Sequence, residues 1–204
     1  MARAFKRRGD RLVGRFDAVE RGIVAGLMDQ TRDLLAPPDR KSTGDAFEDL
    51  VAGLGVSLSA ADQAPDDVGD LDRRDPALDR LLPTAHRGDE QVAAEFRRLT
   101  EHGLRDRKAT NHATSVAALR AASGDRLSLT REQAQAMLVA LTDTRLLLGE
   151  RLGLRTDEDA LELGMRVSAL DPDDPAVYAA SLYDFLTWMQ ESLTTALMGR
   201  GLLG

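Results

Sequence analysis

The sequence predicts a mostly α protein, a single-domain helical bundle with a small antiparallel β-sheet near its N-terminus. Three observations predict it. Apolar residues recur at helical spacing over four long stretches, capping residues and prolines punctuate those stretches, and strand-like alternation is confined to short segments. The 204 residues with 43% hydrophobic content can fill a core, and with aromatics at 4% its packing must be mainly aliphatic.

The chain opens with a hairpin over 3–16: AFKR, a turn at Arg8-Gly9-Asp10, then RLVGRF with partial period-two alternation. Asp17 and Glu20 make a capping-box start for a helix over about 18–35, along which Val19, Ile23, Val24, Leu27, Met28, Leu34 and Leu35 keep helical spacing. Pro37-Pro38 ends it, and a short helix over 45–54 carries Phe47, Leu50, Val51 and Leu54. Residues 55–75, rich in Asp, Ser and Gly, read as a long mobile loop. Asp75-Pro76 supplies an N-cap and an N1 proline for a helix over 76–82, which Pro83 stops.

A long helix is expected over 89–122, its stripe of Val92, Phe96, Leu99 and Gly103 anchored in the core. Continued, that stripe reaches Arg107, Thr110, Asn111 and Thr114, so the inner face turns polar. Residues 126–129 form a third strand, and Thr130 with Gln133 caps a helix over 131–152 whose apolar stripe contains Arg145. Residues 154–174 read as an acidic mobile loop. Asp174-Pro175 then opens the last helix, 175–198, with Tyr178, Leu182, Phe185, Leu186, Met189, Leu193 and Leu197 on one face. Val177 and Trp188 form a second apolar patch beside that face, a candidate partner interface and a reason to expect a homodimer. Arg107 and Arg145 each need a buried partner, for Arg145 a carboxylate of the last helix, Asp184 or Glu191.

A net charge of −7 argues against nucleic-acid binding by the whole surface, but the charge is segregated. Arg3, Lys6, Arg7, Arg8, Arg11 and Arg15 stand near the N-terminus against Asp10 alone, whereas residues 156–174 hold seven carboxylates against Arg166. On the long helix Arg97, Arg98, Arg105 and Lys108 share one face. Arg3, Lys6, Arg7 and Arg8 together with those four are the candidate nucleic-acid contacts. For the helical four the alternative is an ordinary solvated face, since Glu95, Glu101 and Asp106 are interleaved.

With no cysteine, disulfides and thiolate metal sites are excluded. His86, His102 and His112 lack metal-ligand spacing, and Gly-rich phosphate loops and serine nucleophile elbows are absent. Neither an enzyme nor a metal or other cofactor is expected. No stretch approaches the roughly 20 apolar residues of a membrane span, and no signal-peptide core opens the chain, so the expected location is the cytoplasm.

Two blocks, EFRRLTEHGLRDRK at 95–108 and LYDFLTWMQESL at 182–193, together with FKRR, RFDAVE at 15–20, DPALDRLLP at 75–83 and LTDTRLLLGERLG at 141–153, resemble the actinobacterial AosR family, described as a domain of unknown function, DUF2017. The resemblance implies a transcription regulator of the oxidative-stress response in which a Cys-x-x-x-Cys disulfide promotes assembly, DNA binding and contact with a stress sigma factor. This chain has no cysteine, so that switch does not carry over. Two readings follow: a DNA-associated regulator with an input other than thiol oxidation, or a helical module that binds a sigma factor or another protein without touching DNA.

Overall fold

The computed structural model describes residues 2–36, 75–83 and 90–199. The expected helix over 45–54 and, but for Asp75, the expected loop over 55–75 lie outside the described residues. In chain order the elements are β1 (Arg3–Arg8), β2 (Arg11–Arg15), α1 (Ala18–Leu35), α2 (Pro76–Leu81), α3 (Glu90–Ala121), β3 (Arg126–Leu129), α4 (Arg131–Arg151), α5 (Asp157–Ser168) and α6 (Pro175–Met198). Local chemistry sets most of these boundaries. Asp17 accepts from the amides of Val19 and Glu20 while the Glu20 carboxylate accepts from the Asp17 amide, and Thr130 with Gln133 repeats the device for α4.

The acidic stretch is a correction. Residues 154–174 hold α5 rather than a loop, because Thr156 and Asp159 form a third capping box and Asp157, Glu158 and Asp159 occupy the first turn, where the helix dipole favours carboxylates.

The three strands form one antiparallel sheet in the order β1-β2-β3. Gly9 closes the hairpin at φ 63°, a backbone conformation glycine adopts without a Cβ penalty. Leu12, Gly14, Phe16, Leu127 and Leu129 face inward and are buried. A Cβ at Gly14 would lie 2.6 Å from the Phe16 ring, so only glycine lets that ring close over the strand. Phe16 in turn packs edge-on against Phe185 and Trp188 of α6, with ring centroids at 6.4 and 6.2 Å. Around these rings one core gathers Val24 and Met28 of α1, Val116 and Leu119 of α3, Met137 and Leu141 of α4, and Leu186, Met189 and Leu193 of α6. A smaller cluster joins Leu35 to Leu81 and Leu82 at the end of α2. Among the described residues, the sheet is thus covered on one face only.

Helix α3 docks with a different side than its apolar stripe predicts. Its buried residues are His112, Ser115, Val116, Ala118 and Leu119, whereas Val92, Phe96 and Leu99 are 50, 48 and 62% exposed. At 3.6 residues per turn the expected stripe lies about half a turn from the buried one. The physical reason is that the face turned inward near the middle of α3 is polar, carrying Lys108, His112 and Ser115, and hydropathy does not mark it.

Candidate nucleic-acid interface

The outer face of the sheet, left uncovered by the described residues, is built by strand parity. In β2, Arg11, Val13 and Arg15 alternate with the buried Leu12 and Gly14, so they point outward. Pairing carries that assignment sideways: Arg15 lies opposite Arg3 and Arg126, Val13 opposite Lys6 and Ser128, and Arg11 opposite Arg8. A register shift between Arg3 and Lys6 lets both face outward despite their odd spacing. The outer face therefore carries Arg3, Lys6, Arg8, Arg11, Arg15 and Arg126 around Val13 and Ser128.

These cations are poorly neutralised. Asp125 pairs with Arg15 at 3.2 Å, both side chains 55% exposed, and a pair so open to water is worth little. Arg3, Lys6, Arg8, Arg11 and Arg126 have no ion pair among the described residues. Arg11 instead donates to Ser128, to its Oγ at 3.3 Å and its carbonyl at 3.5 Å, which fixes its guanidinium across the strands. Arg3–Arg15–Arg126 and Arg8–Arg11 are like charges directly opposite one another, an arrangement that costs stability. Arg7, the remaining candidate of the hairpin, pairs with Leu12 and so leaves the outer face; its Nε donates to the Gly9 carbonyl at 3.2 Å.

The candidate face on α3 is different in kind. Arg98 pairs with Glu95 at 2.7 Å, and its guanidinium holds the Glu95 carboxyl below its ordinary value. Glu101 takes Arg105 at 2.7 Å and Arg97 at 3.9 Å. Arg105, its side chain 11% exposed, also donates to the carbonyls of Leu35 and Ala36, the open C-terminal end of α1. Lys108 is no outward cation: it forms an ion pair with Asp143 of α4, whose side chain is 1% exposed. His112, fully buried, stands 3.7 Å from the other oxygen of Asp143. Arg105 and Lys108 thus join helices together.

The expected buried partners also move. Arg107 is exposed, because α3 turns its Lys108 side inward. Arg145 is half-buried, but its partners are Gln190 at 2.9 Å and the Tyr183 hydroxyl at 3.3 Å, with the guanidinium 5.1 Å from the Tyr183 ring centre. Asp184 and Glu191, each one residue further along α6, are exposed. The single-residue offset turns both carboxylates about 100° away. Trp188 is half-buried, stacked on Phe185 and edge-on to Phe16, so its ring serves the chain's own core; Val177 is half-buried near the start of α6.

The family described as domain of unknown function DUF2017 matches residues 2–197, from the basic strand to the end of α6. The chain belongs to this family. Proteins named oxidative stress regulator AosR, from Mycobacterium bovis and from two strains of Mycobacterium tuberculosis, are each 30% identical to it over 192 residues, 87% of this chain and 75% of theirs. No solved structure matches the chain. Among the described residues, no helix is long and apolar enough to cross a membrane.

Against this family background the sheet adds Arg11, Arg15 and Arg126 to the candidates taken from the sequence. Alternation in RLVGR marks Arg11 and Arg15 as sharing a face. Only the pairing of β2 with β3 brings in Arg126.

Proposed function

We propose that this protein is a cytoplasmic transcription regulator of the oxidative-stress type, without enzymatic chemistry of its own, that acts by laying the outer face of its sheet on DNA. One observation carries the reading: six cations held on one exposed sheet face, five of them directly opposite another cation, with Asp125 as their single paired carboxylate among the described residues. Cross-strand repulsion is relieved when a polyanion lies over the face. The name of the mycobacterial relatives supports the regulatory role. Because the chain contains no cysteine, its input in this reading is a partner protein or subunit concentration. Fluorescence anisotropy with a duplex from the protein's own promoter region tests it at low salt. Binding should weaken with salt, at a log–log slope of about 0.9 per phosphate contact. A triple Lys6→Ala, Arg8→Ala, Arg126→Ala variant should lose most of it; unchanged binding by that variant, or none by the parent protein, defeats the proposal.

A second reading, docking of a sigma factor, another protein or a second copy of the chain, draws on a different observation. Leu161 and Met165 of the acidic α5 are 69 and 67% exposed, and Phe96 and Leu99 of α3 are exposed as well. Leu161→Asp with Met165→Asp should abolish capture of such a partner while leaving DNA binding intact. Full capture by that variant removes α5 from the reading.

A further inference from the structure

We infer that the sheet engages double-stranded DNA through the major groove, with β2 over the groove floor and the cations of β1 and β3 against the flanking phosphates. The inference rests on the proposal that the sheet face binds DNA, and it names the form of nucleic acid and the groove.

Three features of the face select this mode. The first is what it lacks. Its outward residues are cations, Val13 and Ser128, while Phe5 and Phe16 are buried on the opposite side. Single-stranded nucleic acid is held by stacking bases on exposed aromatic rings, and minor-groove sheets drive apolar wedges between base steps. This face offers neither a ring nor a wedge larger than valine. The second is width. Neighbouring strands lie about 4.8 Å apart, so β2 with one neighbour is about 10 Å wide, against about 12 Å for the major groove of B-form DNA, and the remaining strand falls at the phosphate rim. The major groove of A-form RNA is too narrow and deep to admit side chains carried in this way.

The third is the distribution of chemistry across the strands. On the central strand Arg11, held by Ser128, and Arg15 flank Val13. Arginine presents a donor fork to the O6 and N7 acceptors of guanine, and a small apolar side chain fits the thymine methyl group, so these are groups able to read base edges. On the outer strands Arg3, Lys6, Arg8 and Arg126 carry charge without a fixed partner among the described residues, which suits phosphate contact. The centre of the sheet would then specify and its flanks would anchor.

The test uses the full chain and three probes of one arbitrary sequence: a 20-base-pair DNA duplex, its single strand, and the corresponding RNA duplex, each titrated by anisotropy at low salt. The DNA duplex should bind at least tenfold more tightly than either other probe. Methyl green, which occupies the major groove, should displace the protein, and netropsin, which occupies the minor groove, should not. Lys6→Ala should weaken binding to every duplex sequence alike and lower the salt slope by about 0.9. Val13→Ser should instead change the order of preference among duplexes differing in thymine content. Equal or tighter binding to the single strand or to the RNA duplex, or displacement by netropsin alone, overturns the groove assignment and leaves the sheet's role in nucleic-acid binding standing. Failure to bind any probe overturns both.

Discussion

Replacing Lys108 with Met tests how α3 docks. The Lys108 ammonium meets one oxygen of Asp143, and the two side chains are 16 and 1% exposed. The other Asp143 oxygen has no hydrogen bond and faces His112 Nε2 at 3.7 Å. Methionine keeps most of the chain length and apolar volume but removes the charge, leaving a carboxylate buried without its partner. Truncations of this kind cost about 3–5 kcal/mol, a large part of a typical folding stability of about 5–15 kcal/mol. At about 2–4 °C per kcal/mol for a chain of this size, the melting temperature should fall by about 6–20 °C in a circular-dichroism melt. The double variant Lys108→Met, Asp143→Leu removes both charges. Buried pairs replaced by apolar residues of similar volume are often neutral or stabilising, so the double variant should recover most of the loss. A single-variant shift below about 2 °C would show that water reaches the pair. A double variant as unstable as the single would show that the loss is one of packing. Either result refutes the reasoning.

Three further outcomes are expected. Thr156→Ala removes the side-chain cap on the Asp159 amide and should cost about 1 kcal/mol; since α5 buries Leu163 alone, hydrogen exchange should quicken about fivefold over residues 157–168 with the global melt unchanged. Arg126→Thr relieves the like-charge pair with Arg15 on a solvent-facing strand position, and should raise stability by a few tenths of a kcal/mol while weakening DNA binding, read by melting and anisotropy on the same sample. Arg155 donates to Glu150 and, against the opposing effect of burial and with help from Arg80, holds its carboxyl below the ordinary value of 4.5. A depressed folded value means the unfolded chain takes up the proton more readily, so this stabilisation is present above about pH 4.5 and is lost as pH falls toward the folded value. Glu150→Gln should therefore lower stability by about 1–2 kcal/mol at pH 7 and by much less at pH 3 in urea titrations; an equal gap at both values would exclude the ion pairs as its source.

The elements were legible where their signals are local. Asp17 with Glu20, Thr130 with Gln133 and the Asp-Pro steps at 75–76 and 174–175 each act within a few residues, and the helices begin where those residues stand. The acidic stretch misled because composition and position say different things: the carboxylates that make residues 156–174 look like a solvated loop also favour a helix when they fall in its first turn. The orientation of α3 was not legible, since its docking rests on Lys108 reaching a carboxylate 35 residues away on another helix. Hydropathy treats both groups as surface and instead marks Phe96 and Leu99, which are exposed. For Arg145 the expected neighbour helix was right, and the partners lie one residue earlier than the carboxylates sought.

The two basic faces explain why a count of cations is a poor guide to an anion site. A helix brings residues three and four apart within reach, so acids interleaved among the arginines of α3 neutralise them: Glu95 takes Arg98, and Glu101 takes Arg97 and Arg105. On a strand, the neighbours of an outward side chain lie on other strands, at positions that register chooses rather than sequence proximity. Here register sets Arg15 between Arg3 and Arg126, and Arg8 against Arg11, so charge accumulates. A polyanion responds to the charge left after internal pairing. By that measure the short sheet, which contributes few residues to the fold, is the strongly electropositive surface among the described residues of an acidic chain.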